Sequence, residues 1–129
     1  MSLTLSVLPD VFAICRLDAD AAIPGWATAG RFLSITRTQD ELSVVCLQDD
    51  VPAGIRCEQG WRCLKVEGPL ALTLIGILAS LTSTLAQAAI NLFAVSTYDT
   101  DYLLVREDNL DRAIRALAGA GHHITGRAN

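Results

Sequence analysis

Basic residues are scarce in this chain and never cluster. Its 129 residues hold nine Arg and one Lys against fourteen Asp and Glu, for a net charge of −4. Phosphate binding needs grouped cations, so no nucleic-acid partner is expected. Aromatic residues make up 5% of the chain and are dispersed, which leaves no platform for stacking bases. The start, Met1 to Leu5, lacks the basic residues and apolar core of a signal peptide, and the expected location is cytoplasmic. Cys15, Cys46, Cys57 and Cys63 form no CxxC pair, and the two histidines, His122 and His123, stand side by side near the C-terminus. The clustered spacing of a zinc site is missing, so no metal is expected and the cysteines read as reduced, structural thiols. No Gly-rich phosphate loop is present, and no cofactor is expected. Nor is there a Ser–His–Asp or Cys–His order with family-like context. Asp99 and Asp101 are a carboxylate pair of the kind general acid–base chemistry uses, but they fall in a turn. The chain is read as non-catalytic. His122 and His123 follow the last helix, where a cation suits the dipole.

Charge is also absent between Gly68 and Tyr98, a stretch long enough on paper to span a membrane. Pro69, Gly76, Ser80, Ser83, Thr84, Gln87 and Asn91 interrupt it. On a helical wheel Ile77, Leu78, Leu81, Leu85, Ala88 and Ala89 share one face, and Ser80, Ser83, Thr84 and Gln87 share the other. That is a helix with one buried stripe, and no membrane association is expected.

What the chain does contain is a pattern of alternating elements. Arg62 to Glu67 alternates as a strand, and Gly68-Pro69 breaks it. A helix from about Gly76 to Ala89, a strand from Ile90 to Thr97, a turn at Tyr98 to Asp101 and a strand from Tyr102 to Arg106 follow. Asp108 or Asn109 caps a second helix with Leu110, Ala113, Ile114, Leu117 and Ala118 on one face. Gly119 and Gly121 stop it, and His122 to Thr125 forms a last strand. The order is βαββαβ, a split βαβ sandwich with helices on one face of an antiparallel sheet. The first half repeats the plan in worn form. Phe12 to Arg16, Phe32 to Arg37 and Leu42 to Leu47 read as strands, with room for one helical turn between Ile23 and Gly30 and little for a second helix after Val51. Leu3 to Leu8 adds an extra strand. Slid by sixty residues, Ile35 to Val45 lies on Val95 to Val105 without a gap, so that Thr36 meets Ser96, Glu41 meets Asp101 and Val45 meets Val105. The domains read as 1–59, a degenerate unit, and 60–129, a complete one.

The run Gly76-Ile-Leu-Ala-Ser-Leu81, followed by Ala89-Ile-Asn-Leu-Phe-Ala-Val-Ser-Thr-Tyr-Asp-Thr-Asp-Tyr-Leu-Leu-Val105, closely resembles a family of small bacterial tandem ACT-domain proteins. Its Ser-Thr-Tyr-x-x-Asp-Tyr-x-Leu-Val pattern also resembles the eukaryotic cytosolic arginine sensors and aspartokinase regulatory regions. Phe32 to Val45 is similar to the companion segment of the bacterial proteins. The resemblance implies an α+β fold of tandem ferredoxin-like (βαββαβ) ACT domains with antiparallel sheets, a homodimer, and a free amino acid bound at an ACT–ACT interface. By resemblance, Gly76, Thr97, Tyr98 and Asp101 fall on the ligand-contacting positions of the arginine sensors. The residues themselves give a physical reason. Leu74, Ile75, Gly76 and Ile77 sit at a helix start, where free N–H groups and the dipole favour a carboxylate. Gly76 admits close approach to the backbone, Asp101 pairs with a cation, and Thr97 and Tyr98 add a hydroxyl and an aromatic wall. The arginine sensors carry an acidic residue near the helix start where this chain has Leu74, which favours a smaller or less basic amino acid. The alternative is a structural interaction module of the same fold with no ligand. In it, Gly76 merely starts a helix and Asp99 and Asp101 merely stabilise a turn. Glu41, matched to Asp101, hints at a second site.

Overall fold

The computed structural model describes residues 2–68, 70 and 76–126. Among them are eight strands: β1 (Thr4–Val7), β2 (Phe12–Leu17), β3 (Ser34–Arg37), β4 (Leu42–Leu47), β5 (Cys57–Val66), β6 (Phe93–Ser96), β7 (Asp101–Arg106) and β8 (His123–Thr125). Two α-helices, α1 (Ile77–Gln87) and α2 (Leu110–Gly119), accompany them. Single 3-10 turns stand at Gly25–Thr28, Gln48–Asp50 and Glu107–Asn109. The fold is α+β, as the alternating pattern predicts. No helix among the described residues is long and apolar enough to cross a membrane; α1, inside the uncharged stretch, has 11 residues.

The chain forms two compact units. One is Asp10–Trp61; the other is Met1–Pro9 together with Arg62–Asn129. The expected domain of residues 1–59 therefore loses its first nine residues to the C-terminal unit. The reason is pairing: Leu5 lies opposite Val66 and Val7 opposite Leu64, while Thr4 to Ser6 run beside His123 to Thr125.

In the helical unit, the strands run β6-β7-β5-β1-β8, with the second half of β5 taking part. Here β1 stands between the two strands that would be neighbours in a plain βαββαβ sheet. It is antiparallel to β5 and parallel to β8, so this sheet is mixed and not purely antiparallel. Helical spacing places Ile77, Leu81 and Leu85 of α1 and Leu110, Ala113, Ile114 and Leu117 of α2 in one core with Leu5, Val7, Leu64, Val66, Leu103 and Val105. Each fully buried Leu stabilises by about 1.5–3 kcal/mol relative to exposure. Ala118 and Ala89, expected on the buried stripes, are exposed. Ala89 lies past the end of α1, where the chain turns through a Schellman motif. Ile90 N–H donates to Leu85 O at 3.0 Å, and Ala89 N–H to Ala86 O at 2.9 Å. Ile90 thereby closes the helix against Leu85, and the strand expected from Ile90 begins at Phe93. His122 also departs from expectation. It is buried, and its Nδ1 accepts from Leu3 N–H at 3.1 Å, so the ring is tied to the strand side and not turned to the helix end.

In the unit Asp10–Trp61, the strands run β3-β4-β2-β5, with the first half of β5 taking part. The 3-10 turn Gly25–Thr28 occupies the place of a first helix and Gln48–Asp50 that of a second, so the order is that of βαββαβ with both helices reduced to a turn. Its core is correspondingly made of small and medium side chains: Ala13, Cys15, Ala27, Leu42, Val44 and Cys46.

Candidate functional site

The site begins with the β6–β7 hairpin. Ser96 stands opposite Asp101, and the intervening turn is closed by Thr97 N–H to Thr100 O at 2.8 Å. The Thr97 hydroxyl donates to the same oxygen at 3.0 Å and accepts from Thr100 N–H at 3.3 Å. Thr100 is buried, and its hydroxyl donates to Val66 O at 2.5 Å, fixing the turn to the end of β5. Leu70 N–H adds a bond to Asp99 O at 2.7 Å. With the turn held this way, the Asp101 carboxylate takes one hydrogen bond among the described residues, from Ser96 Oγ at 2.6 Å.

The start of α1 forms the facing wall. Gly76 precedes the helix at φ 84°, the left-handed region, and brings no capping side chain. A Cβ built there would meet nothing within 4 Å, so the backbone conformation, and not crowding, is what asks for glycine. The first intrahelical bond runs from Ser80 N–H to Gly76 O at 2.8 Å. The N–H groups of Ile77, Leu78 and Ala79 precede it and have no partner within the helix. No acidic residue occupies the first turn to offset the dipole.

The two walls enclose a cavity of about 270 Å³, at the small end of ligand pockets. Five of the seven expected residues, Gly76, Ile77, Thr97, Tyr98 and Asp101, line it together. The other two, Leu74 and Ile75, lie outside the described residues. Their roles differ from expectation in two respects. The Thr97 hydroxyl is committed to its own turn and is not presented to a ligand. Tyr98 is 81% exposed, so it stands at the rim and not as a wall. The hydroxyl beside Asp101 is that of Ser96, which the sequence reading passed over; strand pairing across a four-residue turn is the signal that finds it. Leu70, Leu78 and Ala79 complete the apolar lining. Donors from a helix start thus face a carboxylate across a small cavity, an arrangement that can take a molecule carrying both an anion and a cation. Among the described residues no Lys or Arg lines this cavity, and Lys65 lines a neighbouring one of about 250 Å³. Among the described residues no group of three His, Cys, Asp or Glu is placed to hold a metal ion.

A family model described as an ACT domain matches residues 56–119, and a second, described as the N-terminal domain of its own family, matches residues 10–54. The solved structure of protein Atu0741 from Agobacterium tumefaciens is 46% identical over 96% of this chain and 92% of that one, with a TM-score of 0.91. The chain belongs to the ACT-domain family. The same fold occurs at lower identity. Protein VC0802 from Vibrio cholerae, described as a possible transport protein, is 16% identical to this ACT-domain chain, covering 93% of it and 91% of its own length, with a TM-score of 0.76. The regulatory subunit of aspartate kinase from Thermus flavus is 12% identical, with 93% and 99% covered and a TM-score of 0.66. No curated protein matches the chain.

Proposed function

We propose that this ACT-domain chain is a non-catalytic regulatory protein that binds a free amino acid in the cavity between the start of α1 and the β6–β7 turn. The observation that carries the reading is that the start of α1, which Gly76 leaves without a side-chain cap, and the Asp101 carboxylate line one small cavity. The ligand's carboxylate accepts from the N–H groups of Ile77, Leu78 and Ala79, and its ammonium group meets Asp101 and Ser96. The small volume and the lack of a second carboxylate on the α1 side favour a small, weakly basic amino acid. The Thermus flavus neighbour is a regulatory subunit, which agrees with such a role. We place the protein in the cytoplasm as a homodimer, with the ligand held where two ACT units pair. Regulation follows only if the ligand binds one packing state more tightly than another.

Thermal unfolding with each of the twenty amino acids at millimolar concentration tests this. A ligand at about 100 times its Kd stabilises the fold by about 2.7 kcal/mol, read as a midpoint shift. Asp101→Asn keeps the acceptor for Ser96 and removes the charge, and the shift is expected to vanish in it. No shift with any amino acid would sink the reading and leave the fold as a structural interaction module.

A further inference from the structure

Three of the four thiols, distant in sequence, meet on one face of the unit Asp10–Trp61. Cys15 on β2 stands directly opposite Cys57 on β5, and Cys46 on β4 lies one diagonal step away, opposite Ala13. The Cys15 thiol lies against those of both Cys46 and Cys57. Cys15 and Cys46 are fully buried, whereas Cys57 is half-buried and open to a small reagent. The ladder then decides which pair can join. Arg16 N–H donates to Arg56 O at 2.9 Å, which marks Arg16 and Arg56 as a hydrogen-bonded pair. Their neighbours Cys15 and Cys57 are therefore a non-hydrogen-bonded pair, with Cα atoms about 4.5 Å apart and side chains close. A disulfide spans Cα separations of about 4.4–6.8 Å, and diagonal neighbours lie about 7–8 Å apart. Cys57, and not Cys46, is within bonding reach of Cys15 without movement of the backbone. Among the described residues no group of three His, Cys, Asp or Glu is placed to hold a metal ion, these thiols included.

We propose that Cys15 and Cys57 form a modification site, an oxidisable pair that closes a disulfide across β2 and β5 when a low-molecular-weight disulfide reaches Cys57. In the first step the Cys57 thiol loses its proton, and its sulfur attacks one sulfur of the reagent. A mixed disulfide forms, and the other half leaves as a thiolate that takes up a proton. In the second step Cys15 loses its proton and attacks Cys57 Sγ, expelling the remaining half as a second thiol. The protein gives up two electrons and two protons, and one reagent disulfide becomes two thiols. The steps differ in speed. Burial, reinforced by Cys46 and Cys57, pushes the Cys15 thiol up to about 12, so little of it is thiolate near neutrality. Its fixed position against Cys57 offsets this by making the second step intramolecular. Closure is slow and reversible, as suits a thiol pair in a reducing compartment.

The test uses the folded full chain with oxidised glutathione at pH 8, followed by a tryptic peptide map without reduction. Cleavage after Arg16, Arg37, Arg56, Arg62 and Lys65 puts each cysteine on its own peptide. The Cys15 and Cys57 peptides are expected to be linked, and dithiothreitol to separate them. The same link is expected in Cys46→Ser. Cys15→Ser is expected to stop at a glutathione adduct on Cys57, and Cys57→Ser to form neither adduct nor link. Closure from the adduct is expected to speed up by about tenfold per pH unit between pH 8 and 10, following the Cys15 thiolate. An adduct that never resolves in the wild type, a link to Cys46 instead, or a link formed only in denaturant would each overturn the proposal.

Discussion

The two units share a hairpin laid out with the same spacing and use its end for opposite purposes. β3 and β6, β4 and β7, and the 3-10 turns Gln48–Asp50 and Glu107–Asn109 each begin 59 residues apart, at 34 and 93, 42 and 101, and 48 and 107. Both turns open on a threonine that closes the loop on itself. Thr38 N–H donates to Glu41 O at 2.9 Å as Thr97 N–H donates to Thr100 O at 2.8 Å. On this register Asp101 corresponds to Leu42. In the helical unit that position holds a half-buried carboxylate facing a helix start; in the other it holds a fully buried Leu beside a 3-10 turn. A cavity and its charge appear where a full helix supplies a polar end for them to face. Where the helix shrinks to one turn, the same position becomes core.

Exchanging the two residues is the strongest way to break this correspondence. Leu42→Asp places an unpaired carboxylate in a closed apolar core and is expected to destabilise by about 4 kcal/mol in chemical denaturation. Asp101→Leu loses the Ser96 bond at a half-buried position and is expected to cost about 1 kcal/mol or less, while abolishing any shift produced by an amino acid. Comparable losses from both would mean that the two positions are equally part of the core.

A smaller effect separates the residues just before them. The Thr100 hydroxyl holds the hairpin turn to Val66 O, whereas the Glu41 side chain makes no hydrogen bond among the described residues. Thr100→Val keeps the shape and removes the donor, with an expected loss of about 1–3 kcal/mol. Glu41→Ala is expected to stay within about 0.5 kcal/mol. A loss in Glu41→Ala as large as that in Thr100→Val would show that both turns are anchored alike.

These pairs also show what was legible in the sequence. Period and turn chemistry located most of the elements, because apolar stripes such as Leu110, Ala113, Ile114 and Leu117 are decided locally. Register was not decided locally. A slide of sixty residues matches side chains by type, pairing Glu41 with Asp101, whereas the hydrogen bonds of Thr38 and Thr97 fix 59. One residue of slip moves every side chain to the other face, so Glu41 meets Thr100 and the hint of a second acidic site disappears. The place of β1, the opposition of Ser96 to Asp101 and the meeting of Cys15 with Cys57 depend on strand pairing, and no spacing along the chain encodes them.

The smallest difference between the units lies where the helical segments end. Gly30 follows the 3-10 turn Gly25–Thr28 at φ 93°, and Ala89, its counterpart at the same spacing, follows α1 at φ 58°. Only the alanine is strained, since a Cβ in the left-handed region costs about 1–2 kcal/mol. Ala89→Gly relieves this strain but frees the unfolded chain by about 0.4–1 kcal/mol, so a net stabilisation of about 0.5–1 kcal/mol is expected. Gly30→Ala reverses the exchange and adds a contact, because its Cβ would fall 2.8 Å from Leu47 Cδ1. It is expected to destabilise by about 1 kcal/mol or more, depending on how far the Leu47 side chain can give way. Paired thermal melts of the two variants give the comparison directly. Opposite signs would show that both segments end through one left-handed residue, and a stability loss in Ala89→Gly would mean that Ala89 holds its turn by contacts a glycine cannot replace.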